Sequence, residues 1–146
     1  MMSTKVSAQS VKKLRGMTGA GMLECKRALS ECEVIGDLES AVEWLRKNGL
    51  AKAAKKADRE ALMGLVGVRA ERDRVAVVEI NSETDFVSRN EMFRGLVDSV
   101  SECAVRENVS EVEDLLEVEC GDSKVKDEIV RVAASMGENV VLRRAS

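Results

Sequence analysis

From Ser7 onward the apolar positions recur at helical spacing. Val11, Leu14 and Met17 share one face, and Lys12, Lys13 and Arg15 occupy the others. Thr18-Gly19-Ala20-Gly21 interrupts the pattern, since two glycines in four residues permit backbone angles and close approach that a side chain would forbid. A second helical stripe follows through Met22, Cys25, Leu29 and Cys32. Gly36-Asp37 separates it from a third, with Asp37 as N-cap and Leu38, Ala41, Val42 and Leu45 aligned, Trp44 on the border, and Asn48-Gly49 as the expected stop. Residues 1–50 therefore predict a three-helix bundle near the lower size limit for independent folding.

Residues 51–60 carry Lys52, Lys55, Lys56 and Arg59 among alanines and predict a basic helical linker. Beyond it the period shifts from helix to strand. Leu62 to Ala70 is an apolar run with two glycines, suited to a strand approached closely by other chain. After the polar turn Glu71 to Arg74, the next strand places Ala76, Val78 and Ile80 on one face and Val77 with Glu79 on the other. The two runs should pair as an antiparallel hairpin. Helical spacing returns in Phe93, Leu96, Val97, Val100, Cys103 and Ala104. Ser110 and Glu113 have capping-box spacing for a short acidic helix through Val118, and Ser123 is placed to cap a last helix along Val125, Ile129, Val132, Ala133 and Met136. Gly137 ends that helix, and Asn139 to Arg144 predicts a third strand. The fold class is α+β: an N-terminal three-helix bundle, a helical linker, then over residues 61–146 an antiparallel three-stranded sheet packed with helices, in the order strand, strand, helix, helix, strand. The last strand lies close to the end of the sequence. A bare edge there invites pairing, so the expectation is a longer natural chain or a neighbour that covers it, including a homodimer through the C-terminal strand.

Between the second strand and the next helix lies Asn81-Ser82-Glu83-Thr84-Asp85-Phe86-Val87-Ser88-Arg89-Asn90-Glu91. Ser88 as N-cap and Glu91 three residues later fit a capping box, with Val87 and Met92 as its hydrophobic staple. Phe86 falls outside that staple, in a polar connection. It is either a core side chain tucked under the sheet or an aromatic held out by a rigid turn to meet a partner.

Composition narrows the chemistry. The 146 residues are 45% hydrophobic but only 2% aromatic, with no proline, so the core must be aliphatic and alanine-rich and the helices unobstructed. The formal charge of −3 hides a basic front, before residue 60, and an acidic rear. Such a split favours two units with different surfaces over a single nucleic-acid binder. Cys25, Cys32, Cys103 and Cys120 lack CxxC spacing and there is no histidine, which argues against zinc; Cys25 and Cys103 read as small hydrophobes on apolar faces, in a reducing, cytoplasmic setting. No apolar run approaches a membrane span and there is no hydrophobic signal segment.

Thr18-Gly19-Ala20-Gly21 has neither the GxxxxGK[ST] form nor a preceding strand, so it is no phosphate cradle. Residues 111–119 have the spacing of an exposed acidic helix and not of a calcium loop. Without histidine there is no Ser–His or Cys–His pair, and Glu83 with Asp85 reads as solvated charge beside a turn. The basic linker lacks interleaved aromatics and reads as a solvated face sooner than a phosphate-binding arm. Binding without chemistry is the expectation, with no cofactor and no metal, and nucleic-acid binding through the basic linker ranks below protein binding.

Leu14-Arg15, Thr18-Gly19-Ala20-Gly21-Met22, Cys25-Lys26-Arg27-Ala28-Leu29, Gly36-Asp37, Leu45-Arg46-Lys47-Asn48-Gly49, the Lys52 to Lys56 arm, Thr84-Asp85-Phe86-Val87 with Asn90-Glu91, Gly137-Glu138-Asn139 and Arg143-Arg144 together resemble the elongation factor Ts family. TGAGM alone would be weak; followed by TDFV some sixty residues on, it is specific. The resemblance implies a ubiquitin-associated-like front domain and the first part of the family's core, without its second subdomain or C-terminal dimerising segment. It further implies guanine-nucleotide exchange on elongation factor Tu, by protein binding and not by enzymatic chemistry. In that family the phenylalanine of TDFV enters an apolar slot near the nucleotide site and disturbs the magnesium and phosphate contacts. Carried over, Phe86 is the wedge, Asp85 its polar partner, and Thr84 and Val87 hold the turn, while Arg15, Met22 and Leu23 match positions that touch the partner's GTPase domain. Leu23 stands where the family often has methionine. The competing expectation is a non-catalytic adaptor with a ubiquitin-associated-like bundle, which leaves Thr84 to Val87 without a task.

Overall fold

The structure, a computed structural model, describes residues 6–146, which divide into two compact units after Ala54. In the first, helix α1 (Ala8–Thr18) begins where the Ser7 hydroxyl accepts a hydrogen bond from the Ser10 amide at 3.1 Å. It ends at Gly19, whose φ of 69° lies in the left-handed region. Helix α2 (Met22–Glu31) and helix α3 (Leu38–Lys56) complete the bundle. Leu14, Cys25, Ala28, Leu29 and Ala41 are wholly buried among Val11, Ala20 and Cys32. Trp44 packs against this cluster from the side, with the Arg27 guanidinium 5.9 Å from its ring centroid.

Two expectations for this unit are corrected. Met17 does not join the face of Val11 and Leu14 but is exposed, because α1 ends one residue later, at Thr18, and among the described residues Met17 is not covered. Asn48-Gly49 does not stop α3: the Asn48 side chain donates to the Trp44 carbonyl at 2.9 Å, Gly49 is buried within the helix, and the helix continues to Lys56. A glycine inside a helix costs only about 1 kcal/mol relative to alanine, and the Leu-Ala-Lys-Ala-Ala run after it consists of strong helix formers.

In the second unit β1 (Met63–Glu71) and β2 (Arg74–Ser82) form an antiparallel hairpin, in register from Met63 opposite Ser82 to Glu71 opposite Arg74. The two-residue turn places Arg72 at φ 56°, the backbone hand such tight hairpins need. β5 (Val141–Ala145) pairs antiparallel with the other side of β2, giving the order β1-β2-β5. Ala76, Val78 and Ile80 point inward as their alternation predicts. Helix α5 (Glu91–Glu107) covers them with Phe93, Leu96, Val97, Val100 and Ala104, and α7 (Val125–Met136) adds Val125, Ile129, Val132 and Ala133. The two glycines of β1 are explained by close approach. A Cβ on Gly64 would lie 2.2 Å from the Ile80 carbonyl oxygen, and one on Gly67 would lie 2.7 Å from Val97 Cγ1. The outer face of the sheet exposes Val66, Val68, Val75 and Val77.

The acidic helix, α6 (Val112–Leu116), starts later than its capping-box spacing suggests, with Glu111 at the N-cap position and no side-chain cap. Ser123 does not cap α7; its hydroxyl donates to Glu128 at 2.6 Å, and Lys124 takes the cap position. A small hairpin, β3 (Glu119–Cys120) with β4 (Ser123–Lys124), joins α6 to α7. It brings Cys120 to Cys103 of α5 as a disulfide, with Cα atoms 6.1 Å apart. Cys103 is thus not simply a small hydrophobe; only folding joins two residues on separate elements. Cys25 does behave as one, and burial pushes its thiol pKa up.

Candidate partner-binding site

The connection from β2 to α5 is a short helix, α4 (Asp85–Ser88), entered through Thr84 in extended conformation at φ −123° and ψ 158°. Four residues make too little helix to stand alone, so its shape must come from elsewhere. Ser82, wholly buried at the end of β2, donates its hydroxyl to the Thr84 carbonyl at 2.9 Å. Val87 and Ser88 are buried, and the Ser88 hydroxyl donates to the Asp85 carbonyl at 3.0 Å. This overturns Ser88 as N-cap of the next helix: its backbone and hydroxyl belong to α4. Asn90 caps α5 instead, its side-chain oxygen accepting from the Met92 amide at 2.8 Å. With the cap moved two residues on, Val87 and Met92 no longer flank it as a staple, though both reach the core of the second unit.

The remaining anchors come from the segment after α7. The Glu138 carboxylate accepts hydrogen bonds from the Glu83 amide at 2.9 Å, the Thr84 amide at 3.0 Å and the Thr84 hydroxyl. In return Glu83 accepts from the Asn139 amide at 2.7 Å, and Arg59 stands 3.6 Å from the same carboxylate. The Asn139 side chain donates to the carbonyls of Ala57 and Arg59. The bonds to the Glu138 and Glu83 carboxylates are charge-assisted and stronger than neutral ones.

On this scaffold Phe86 is 82% exposed, while Phe93, seven residues on, has no exposed surface. That excludes the first of the two readings of Phe86: it is not a core side chain. Asp85, beside it, pairs with Arg89 at 3.2 Å within the same turn. The Thr84 hydroxyl donates to Glu138, and Val87 is buried in the core of the second unit. Sequence reasoning missed the supports Ser82, Glu83 and Glu138. Glu138 stood within the Gly137-Glu138-Asn139 match, but nothing local gave it a role.

In the first unit Arg15 is exposed near the end of α1, and Met22 and Leu23 open α2 at 53% and 73% exposure. Their setting is local. Gly19 donates its amide to Arg15 and the Thr18 hydroxyl donates to Leu14, both at 2.8 Å. Among the described residues no group of His, Cys, Asp or Glu is arranged to hold a metal ion, and no helix is long and apolar enough to cross a membrane.

Residues 83–146 match the family model described as Elongation factor TS. The chain is 48% identical to Elongation factor Ts of Maricaulis maris over 97% of its own length and 45% of the relative's. It is 45% identical to Elongation factor Ts of Spiroplasma citri, covering 96% of the chain and 47% of the relative. With that of Paramagnetospirillum magneticum the identity is 48%, over 97% of the chain and 45% of the relative. The chain thus spans less than half the length of these relatives.

Proposed function

This chain belongs to the elongation factor Ts family, and from that premise we propose that it serves translation elongation by binding elongation factor Tu and promoting release of GDP, with Phe86 as the inserted side chain. The observation that carries the reading is the exposure of that ring on a turn tied down on both sides. Two ligands that each bind well alone and poorly together are linked by one coupling free energy, equal in both directions. Exchange therefore needs contacts available only when the nucleotide grip is loosened. A phenyl ring that becomes buried only in the opened partner supplies about 1.5–3 kcal/mol toward that state.

Asp85 would present its carboxylate beside the ring. Arg15, Met22 and Leu23 would dock the front bundle on the same GTPase. The domain reading that goes with this function is a ubiquitin-associated-like unit over residues 1–50, a linker over 51–60 and a first core subdomain over 61–146. The place of action is the cytoplasm, where translation occurs, and the action involves protein binding without a cofactor or direct nucleotide contact. β5 lies at one edge of the sheet, which supports self-association through that strand; a strictly monomeric mass by light scattering would count against it.

The test is release of labelled GDP from elongation factor Tu with and without the purified chain. Stimulated release that falls in Phe86→Ala is the expected outcome. Binding without stimulation would leave the adaptor reading in its place, and neither binding nor stimulation would overturn both.

A further inference from the structure

The exposed ring makes little contact of its own, so the position of Phe86 is dictated by the backbone that carries it. That backbone is gripped two and three residues earlier, at the Thr84 and Glu83 amides, by a carboxylate more than fifty residues away in sequence. The grip is reciprocal, since Glu83 holds the Asn139 amide next to Glu138. We propose that Glu138 is a positioning residue: with Glu83 it forms a latch that holds the Thr84–Val87 turn in the conformation from which Phe86 can enter its partner. The inference rests on the reading of Phe86 given above.

A purely structural role would make the latch a staple for the sheet. The hydrophobic core already performs that task. Ser82 and Val87 bracket the turn from within the protein, and β2 and β5 are paired through the sheet ladder. Glu138 instead collects three donors that lie together at the entry to a four-residue helix, and it does so at a half-buried position. Without it, the extended approach at Thr84 loses the acceptor that fixes its direction, and the turn samples other orientations. A partner that recognises one orientation then binds more weakly, in proportion to the fraction of molecules that retain it.

The experiment measures labelled-GDP release from elongation factor Tu against concentration of the full chain for wild type, Glu138→Ala, Glu138→Gln, Phe86→Ala and the double variant Glu138→Ala/Phe86→Ala. Glu138→Ala should raise the half-saturating concentration about tenfold, the scale expected for lost charge-assisted bonds, and leave the maximal rate unchanged. Glu138→Gln, which keeps an acceptor oxygen, should recover part of the loss. In the Phe86→Ala background the loss should vanish. Amide exchange at Glu83 and Thr84 should quicken in Glu138→Ala while the buried strand residues of β2 stay protected. If Glu138→Ala fails to fold, Glu138→Gln carries the comparison in both backgrounds. Wild-type release by the Glu138 variants beside an impaired Phe86→Ala overturns the latch and leaves the wedge. An equal loss with and without Phe86 also overturns the latch, since Glu138 would then act through the fold. Wild-type release by Phe86→Ala overturns the wedge itself.

Discussion

Two turns offer apolar side chains to solvent, and they are held in opposite ways. The turn from Thr18 to Leu23 is secured by neighbours: Gly19 bonds to Arg15, Thr18 to Leu14, and the Cys25 amide to Gly21. The turn from Thr84 to Val87 takes its decisive hydrogen bonds from Glu138, 54 and 55 residues onward. A local turn is shaped as soon as its two helices form. A distant one is shaped only after the chain has folded through α7. The first kind should tolerate lesions elsewhere; the second should register damage anywhere in its unit.

The largest test of that contrast is the Cys103–Cys120 bond. It closes a loop with a sequence separation of 17, a length for which chain entropy predicts about 3 kcal/mol of stabilisation. Thiol-rich compartments keep such pairs open, so oxidised and reduced chain can be compared directly. Oxidation should raise the unfolding midpoint of the second unit, measured by amide exchange along β2 and α5, and leave exchange in α1 and α2 unchanged. Equal shifts in both units would break the contrast.

Next in size is Phe86→Ala. With the ring exposed, the melting temperature should stay within a degree or so, while stimulated GDP release falls about ten- to a hundredfold. Leu23→Ala should be milder, weakening association about three- to tenfold, because leucine is under-represented among the residues that dominate interfaces. Its effect should add to that of Phe86→Ala, as expected for sites that meet the partner independently. A strong departure from additivity, measured by titration, would show that the two turns do not act separately.

The smallest effect concerns pH. Lys126 and then Lys124 hold Glu117 with hydrogen bonds at 2.6 and 2.9 Å, and its carboxyl is pulled from 4.5 down to about 2. A carboxylate whose folded pKa is depressed contributes stability that is present above its unfolded value and lost as pH falls through the folded one. The difference between wild type and Glu117→Gln in thermal midpoint should therefore be constant above about pH 5 and close between pH 4.5 and 2. The group is exposed, so the shift should be slight and should shrink with added salt.

How much of this was legible follows the same division. The β1–β2 hairpin, the inward set Ala76, Val78 and Ile80, and the α5 face from Phe93 to Ala104 could be read because alternation and helical period are local signals. So could Asp37 as a cap, which accepts from the Ser40 amide at 2.8 Å. Choices between two adequate residues were harder: Asn90 and Ser88 are both good caps, and the structure uses the one that leaves Ser88 inside α4. Asn48-Gly49 looks like a helix end, yet a helix former on each side carries α3 through it. The disulfide and the Glu138 latch could not be read at all, since each joins residues on elements whose meeting depends on the whole fold.

Trp44 is the single tryptophan in a chain without tyrosine, and it sits against the core of the first unit. Intrinsic fluorescence therefore reports on the three-helix bundle and is blind to the sheet, whereas far-ultraviolet circular dichroism sees both. A melt followed by emission alone would pass over every event around Phe86. A Phe86→Trp variant in a Trp44→Phe background would move the light source from α3 to the Thr84–Val87 turn, where quenching or a blue shift would mark the moment its ring leaves water.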